Sequence, residues 1–177
     1  MTGSMSPAYP VLVALVWLTA CASPMPQPLP TVGAVDLQRY AGTWYEIARL
    51  PNRFQSMCAS DVRAHYAPED GAIAVVNSCR TGDGKLERAE GVAHVVAGSA
   101  GSKLRVSFFR PFYGDYWILA LDPDYRWVLV GEPAGRYAWV LARAPELDDA
   151  TLARLLARAD ALGFARQAFV RTPHTGH

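Results

Sequence analysis

Four histidines, three cysteines and a scatter of carboxylates are the residues of this chain with chemistry to offer. Asp61 and His65 stand four apart, so both fall on one face of an extended strand. That would suit an acid–base pair, but no Ser or Cys nucleophile is placed with them. Asp122-Pro123-Asp124 sets two carboxylates around a proline. Proline presets φ and aspartate bonds its own backbone, so the tripeptide reads as a turn rather than a catalytic pair. Glu46 is the one first-strand carboxylate that could act as an internal acid or base, and its facing depends on strand register. His174 and His177 fall in a C-terminal tail, 173–177, expected to be loose. No spacing resembles a zinc or calcium site, and no glycine-rich phosphate loop is present. The residues therefore imply no metal, no cofactor and no catalysis.

The cysteines speak of compartment. Asp61 to Ala67 reads as a strand, Pro68 to Gly71 as a tight turn, and Ala72 to Asn77 as a second strand. Folding that hairpin brings Cys58 and Cys79 nearly opposite each other, which predicts a cross-strand disulfide. Cys21 stands apart. It follows the uncharged apolar run Val11 to Leu18, too short to span a bilayer and fitted to the apolar region of a signal peptide. Leu18-Thr19-Ala20-Cys21 resembles the lipobox of bacterial lipoproteins. That resemblance implies cleavage before Cys21 and lipidation of its thiol and new amine, with 1–20 as the signal segment. Ala at position 22 implies sorting to the outer membrane, facing the periplasm. Ala22 to Thr31 is proline-rich without a period, so 21–35 reads as the lipidated cysteine and a flexible tether.

The folded domain, 36–172, must position everything else. Net charge is +1, with 51% hydrophobic and 19% charged residues, a balance that argues against nucleic acid as partner. Gly42-Thr43-Trp44 opens a long series of β-type segments. Glycine lets the chain turn, and the indole supplies a large plug whose N–H needs a partner. Short segments at about 43–50, 61–67, 72–79, 85–97, 103–109, 115–122, 126–131 and 136–143 predict eight strands with short connections, hence antiparallel neighbours. Eight strands close into a cylinder with room for one small ligand. Leu152, Leu155, Leu156, Ala159 and Leu162 then recur at helical spacing, started by Asp148 or Asp149 and ended by Gly163. That helix should pack outside the barrel, followed by a last short strand, Gln167–Arg171.

Three separated blocks carry a family resemblance. They are Gly42-Thr43-Trp44-Tyr45-Glu46-Ile47-Ala48-Arg49, then Ala120-Leu121-Asp122-Pro123-Asp124-Tyr125, then Val140-Leu141-Ala142-Arg143. With Val106 to Tyr116 between them, the chain resembles the bacterial outer-membrane lipoprotein lipocalins, related to apolipoprotein D. The resemblance implies an all-β, eight-stranded up-and-down lipocalin barrel with one external C-terminal α-helix. It also implies that Arg143 lays its guanidinium over Trp44, so that Gly42, Trp44 and Arg143 close one end.

Function should then lie at the other end. Tyr113, in an aromatic, glycine-containing loop, and Trp139, which shares strand parity with Tyr137, Leu141 and Arg143, lead the candidates for ligand contact. Phe112, Tyr116, Tyr137 and Glu46 follow, with Phe54 at the rim. Apolar walls with a few polar tips suit a fatty acid or lysophospholipid. The resemblance implies lipid storage or transport at the bacterial envelope, with the membrane reached through lipidated Cys21. Two competitors stand beside this reading: an envelope protein-interaction module with a packed barrel, and a lipocalin-fold enzyme. The sequence leaves a homodimer open.

Overall fold

The computed structural model describes residues 28–176, so the expected signal segment and lipidated Cys21 lie outside the described residues. A capped helical turn, α1 (Leu37–Tyr40), leads into β1 (Gly42–Arg49). Then come β2 (Cys58–Glu69), β3 (Ala72–Thr81), β4 (Leu86–Val95), β5 (Lys103–Phe109), β6 (Phe112–Leu121), β7 (Trp127–Gly131) and β8 (Ala138–Ala142). Helix α2 (Asp149–Ala161) and a two-residue strand, β9 (Val170–Arg171), complete the chain. Every pairing is antiparallel, and β1 pairs with both β2 and β8, which closes the barrel.

Strand alternation divides the apolar residues into two cores. Trp44, Tyr66, Val75, Ala93, Leu104, Ile118, Val130 and Leu141 point into the barrel. Their neighbours Ile47, Ala48, Leu119, Leu129 and Val140 point out, against Leu152, Leu155 and Ala159 of α2 and Phe164 beyond it. The Asp148 carboxylate caps α2 by accepting from the Thr151 N–H at 2.8 Å. Gly131 lets Phe164 approach the wall, since a Cβ there would lie 2.5 Å from its ring.

The elements at both ends of the chain differ from the expectations above. The domain begins before residue 36. Leu29 packs on the outer core, and the N–H groups of Val32 and Val35 bond the carbonyls of Ile118 and Ala100. Those apolar side chains have a wall to cover, which holds this part of the expected tether in place. At the other end, Arg166–Ala168 is a single 3-10 turn rather than strand. The segment after Arg171 is also not loose. Beyond Tyr45, β1 leaves β2 and pairs with β9 instead, and Pro173–Thr175 fills the gap that opens.

Asp61 is the lock on that gap. Its N–H bonds the Pro173 carbonyl, and its carboxylate accepts from the Thr175 N–H at 2.9 Å and the Thr175 hydroxyl at 2.7 Å. It adopts φ +54°, which turns it out of the strand alternation. His65 instead meets the Thr43 hydroxyl, so the Asp61–His65 pair is not assembled. Burial alone would raise the Asp61 carboxyl, but bonds from Thr175 and Ser60 and the nearby His174 outweigh it and bring it to about 2. A carboxyl depressed on folding stabilises above its unfolded pKa of about 3.9 and loses that contribution as pH falls towards 2. The site lies under a thin cover of tail, so screening reduces the gain to about 1–2 kcal/mol. Unfolding free energies of the wild type and Asp61→Asn should therefore converge between pH 5 and pH 2. A constant gap across that window would remove the lock.

Candidate functional site

The closed end is built on Trp44. Gly42, at φ +92°, turns the chain out of α1 and leaves room beside Arg143, whose Nη1 would lie 3.4 Å from a Cβ. The indole is fully buried, and its N–H donates to the Tyr40 carbonyl at 2.8 Å. The Arg143 guanidinium lies 4.0 Å from the indole centroid and donates to the carbonyls of Thr43, Arg39 and Tyr125. Stacking and three carbonyl bonds together fix this end. Asp122 is the turn residue of the second block. It accepts from the backbone of Asp124 and Arg126 and from the Arg126 side chain, whose bond holds its carboxyl below the usual range.

Above this floor lies the lumen. Its lower half is filled by the inward apolar residues already named. Higher up, the inward positions of β4 and β6 are small: Ala89, Gly114 and Gly91, the last covered by the Phe108 ring. Ala89 and Gly114 are exposed although they face inward, and Tyr116 and Trp139 are half-buried. Solvent therefore reaches the upper lumen. All the large apolar side chains that are exposed among the described residues, Val95 excepted, surround the open end: Phe54, Met57, Leu86, Phe108, Phe109, Phe112 and Val170. Phe109 and Phe112 stack on each other across the β5–β6 turn. A depression of about 460 Å³ at the closed end, between Thr31–Ala34 and Val96–Lys103, has no such convergence of aromatic and polar groups.

The predicted ligand residues separate. Trp139 faces inward at the neck, and its N–H donates to Gln55 Oε1 at 3.0 Å. Tyr137 and Phe54 pack edge-to-face beside it. Phe112 is on the rim, and Tyr116 is in the lumen. Tyr113 is not in a loop. It lies in β6, on the outward side, with its ring against His94 and under Arg105. The strand begins three residues earlier than the sequence suggested, because the turn is only Arg110-Pro111, and parity then sends Tyr113 outward.

Glu46 does face inward, paired across from Leu141, and is 2% exposed. Its Oε1 accepts from Arg49 at 2.6 Å and from the Thr172 hydroxyl, and its Oε2 accepts from Gln55 Nε2 at 2.7 Å. A bulge after Glu46 turns Arg49 to the same face. The carboxylate is thus neutralised and engaged on both oxygens, an arrangement that holds the β1–β2 loop over the neck. Gln55 and Arg49 carried no signal in the sequence, since their role depends on the loop and the bulge. Cys58 and Cys79 form the disulfide, with Cα atoms 5.5 Å apart.

Deeper still, three tyrosines meet. The Tyr40 and Tyr116 hydroxyls are 2.7 Å apart, and Tyr66 donates to Tyr116 at 3.0 Å. Burial raises all three hydroxyl pKa values, Tyr66 to about 12 and the other two well above the ordinary value. Tyr40 could not be found by periodicity, because a four-residue helical turn has none.

The comparisons with known proteins agree with this architecture. The family described as Lipocalin-like domain matches residues 35–174. The chain is 37% identical to the outer membrane lipoprotein Blc of Escherichia coli over 161 residues, covering 90% of this chain and 91% of that protein. It is 36% identical to temperature-induced lipocalin-1 of Arabidopsis thaliana, covering 81% and 82%. Among solved structures, insecticyanin from the tobacco hornworm Manduca sexta superposes with a TM-score of 0.68 at 20% identity, covering 82% of this chain and 84% of that one. A closed eight-stranded barrel, a stacked Trp44–Arg143 floor and relatives matched over nearly their whole length lead to one conclusion: the chain belongs to the lipocalin family.

Proposed function

We propose that this lipocalin holds a fatty acid or lysophospholipid in its upper lumen and is anchored to the bacterial outer membrane, periplasm-facing, through lipidated Cys21. The observation that carries this reading is the combination of a solvent-reached lumen with small inward residues and an aromatic rim around its mouth. Each buried methylene contributes about 0.8 kcal/mol, so an acyl chain supplies ample affinity even after association costs. Trp139, Tyr116, Phe112 and Tyr137 are the contacts, with Glu46 holding the loop that narrows the neck. The Blc relatives are named as outer membrane lipoproteins, which supports the anchoring and the location.

A binding protein rather than an enzyme is the reading the lumen favours. Glu46, the internal carboxylate, has both oxygens engaged by Arg49, Thr172 and Gln55. The interaction-module alternative draws on the filled lower half of the barrel.

The test is a tryptophan-fluorescence titration of the delipidated protein with a long-chain fatty acid and a lysophospholipid. Saturable quenching is expected, with the dissociation constant weakened about tenfold, or 1.4 kcal/mol, in Trp139→Ala. No saturable response to either amphiphile would move the interaction module ahead.

A further inference from the structure

The hydroxyls of Tyr40, Tyr66 and Tyr116 carry three protons, yet two hydrogen bonds join them, and among the described residues none of the three has another partner. One O–H is therefore left over. The bond from Tyr66 leaves the question between Tyr40 and Tyr116. If Tyr116 donated to Tyr40, the proton of Tyr40 would be orphaned where the side chain is 2% exposed. An unsatisfied buried donor is costly. If Tyr40 donates, Tyr116 accepts twice, and the spare proton belongs to Tyr116, the one residue of the three that is half-buried rather than buried. Two bonds accepted at one hydroxyl also polarise it, making it a better donor.

We propose that the Tyr116 O–H is the deep end of the ligand site and takes an uncharged hydrogen-bond acceptor, a ketone or ester carbonyl, from an amphiphile that enters polar group first. This rests on the lumen-binding reading above and narrows its ligand class, since the carboxylate of a fatty acid would not be held at this end. An uncharged acceptor is favoured over a carboxylate for two reasons. The cation below, Arg143, is committed to three carbonyls and stacked on the indole. The surroundings of the triad are Ile118, Leu104 and Val75, which offer no compensation to a bare anion. The carbonyl hydrogen bond would place the apolar tail in the upper lumen, past Val106 towards Trp139.

The test uses the delipidated chain, methyl undecyl ketone with an isotope-labelled carbonyl, and tridecane as the chain without an acceptor. Infrared difference spectra should show the bound carbonyl stretch at lower wavenumber than in an alkane solvent. In Tyr116→Phe the shift should vanish and the ketone should bind about fivefold more weakly, while tridecane binds both proteins alike. Tyr66→Phe, which removes only one bond onto Tyr116, should keep a shifted band. A wild-type carbonyl band at the alkane-solvent position, with the ketone bound, would overturn the Tyr116 site while leaving lumen binding intact. Failure of the wild type to bind ketone, alkane and fatty acid would overturn both, and the wild-type spectrum decides the matter even where a variant does not fold.

Discussion

Replacing Trp44 with alanine is expected to destabilise the protein by about 4 kcal/mol, the range typical of deleting a fully buried tryptophan. The expectation rests on three coupled losses. The indole fills the floor at zero exposure between Tyr40, 4.9 Å away by ring centroid, and the Arg143 guanidinium. Removing it opens a cavity that two rigid strands and a capped turn cannot collapse into. It takes the donor from the Tyr40 carbonyl. It also leaves the guanidinium without its stacking partner, over a void rather than a ring. Trp44→Phe keeps a ring beneath Arg143 but not the N–H, so it should cost about half as much. Arg143→Lys should also destabilise, because one ammonium cannot reach the carbonyls of Arg39, Thr43 and Tyr125 as the guanidinium fork does. Urea unfolding followed by far-ultraviolet circular dichroism measures all three. A loss below 1 kcal/mol for Trp44→Ala would mean that the floor is not held by its plug.

The second large effect is expected from the disulfide. Cys58 and Cys79 close a loop with a sequence separation of 21, which the chain-entropy model values at about 3 kcal/mol. The bond ties the first residue of β2 to the upper part of β3, where the register between the two strands shifts twice. Backbone pairing is thus weakest where the cross-link is placed. Cys58→Ser with Cys79→Ser should therefore lower the unfolding free energy by about 3 kcal/mol, and reduction of the wild type should reproduce the loss. Equal urea midpoints for oxidised and reduced protein would show that the loop is already ordered in the unfolded chain. Because the bond sits on the mouth side of the barrel, its loss should also loosen the β1–β2 loop that carries Gln55 over the neck.

Much of the fold was legible along the chain. Strand alternation and short turns are local signals, and they place all eight barrel strands within a few residues of where they lie. The helix was legible for the same reason, since Asp148 and the leucine spacing are read within a few turns. The cysteine pair was readable because one hairpin brings the two residues together. The open end was less legible, and the differences in placement have physical causes. Tyr113 reads as a ligand candidate in an aromatic loop, but a start of β6 at Phe112 puts it in the strand with its ring outward; in a strand, a one-residue step changes the face. Glu46 could not be oriented until the bulge that follows it was known. The tail after Arg171 looked loose because nothing in its own residues announces a partner. Its partner, Asp61, lies more than a hundred residues earlier and is turned to meet it by a left-handed backbone.

What the sequence determined by itself was therefore the class of object: an all-β barrel with an external helix, a Trp44–Arg143 floor, a Cys58–Cys79 cross-link and membership of one family. The barrel, the helix and the cross-link follow from periodicity and turn chemistry, which act over a few residues, whereas the floor and the family follow from the resemblance that three short motifs carry. What only the tertiary structure decided was the content of the barrel. The neutralised Glu46–Arg49 pair under Gln55, the aromatic rim, the lock between Asp61 and the tail, and the meeting of Tyr40, Tyr66 and Tyr116 each join residues from two or more separate segments. Strand register and barrel closure bring them together, and those are set by the packing of the whole chain.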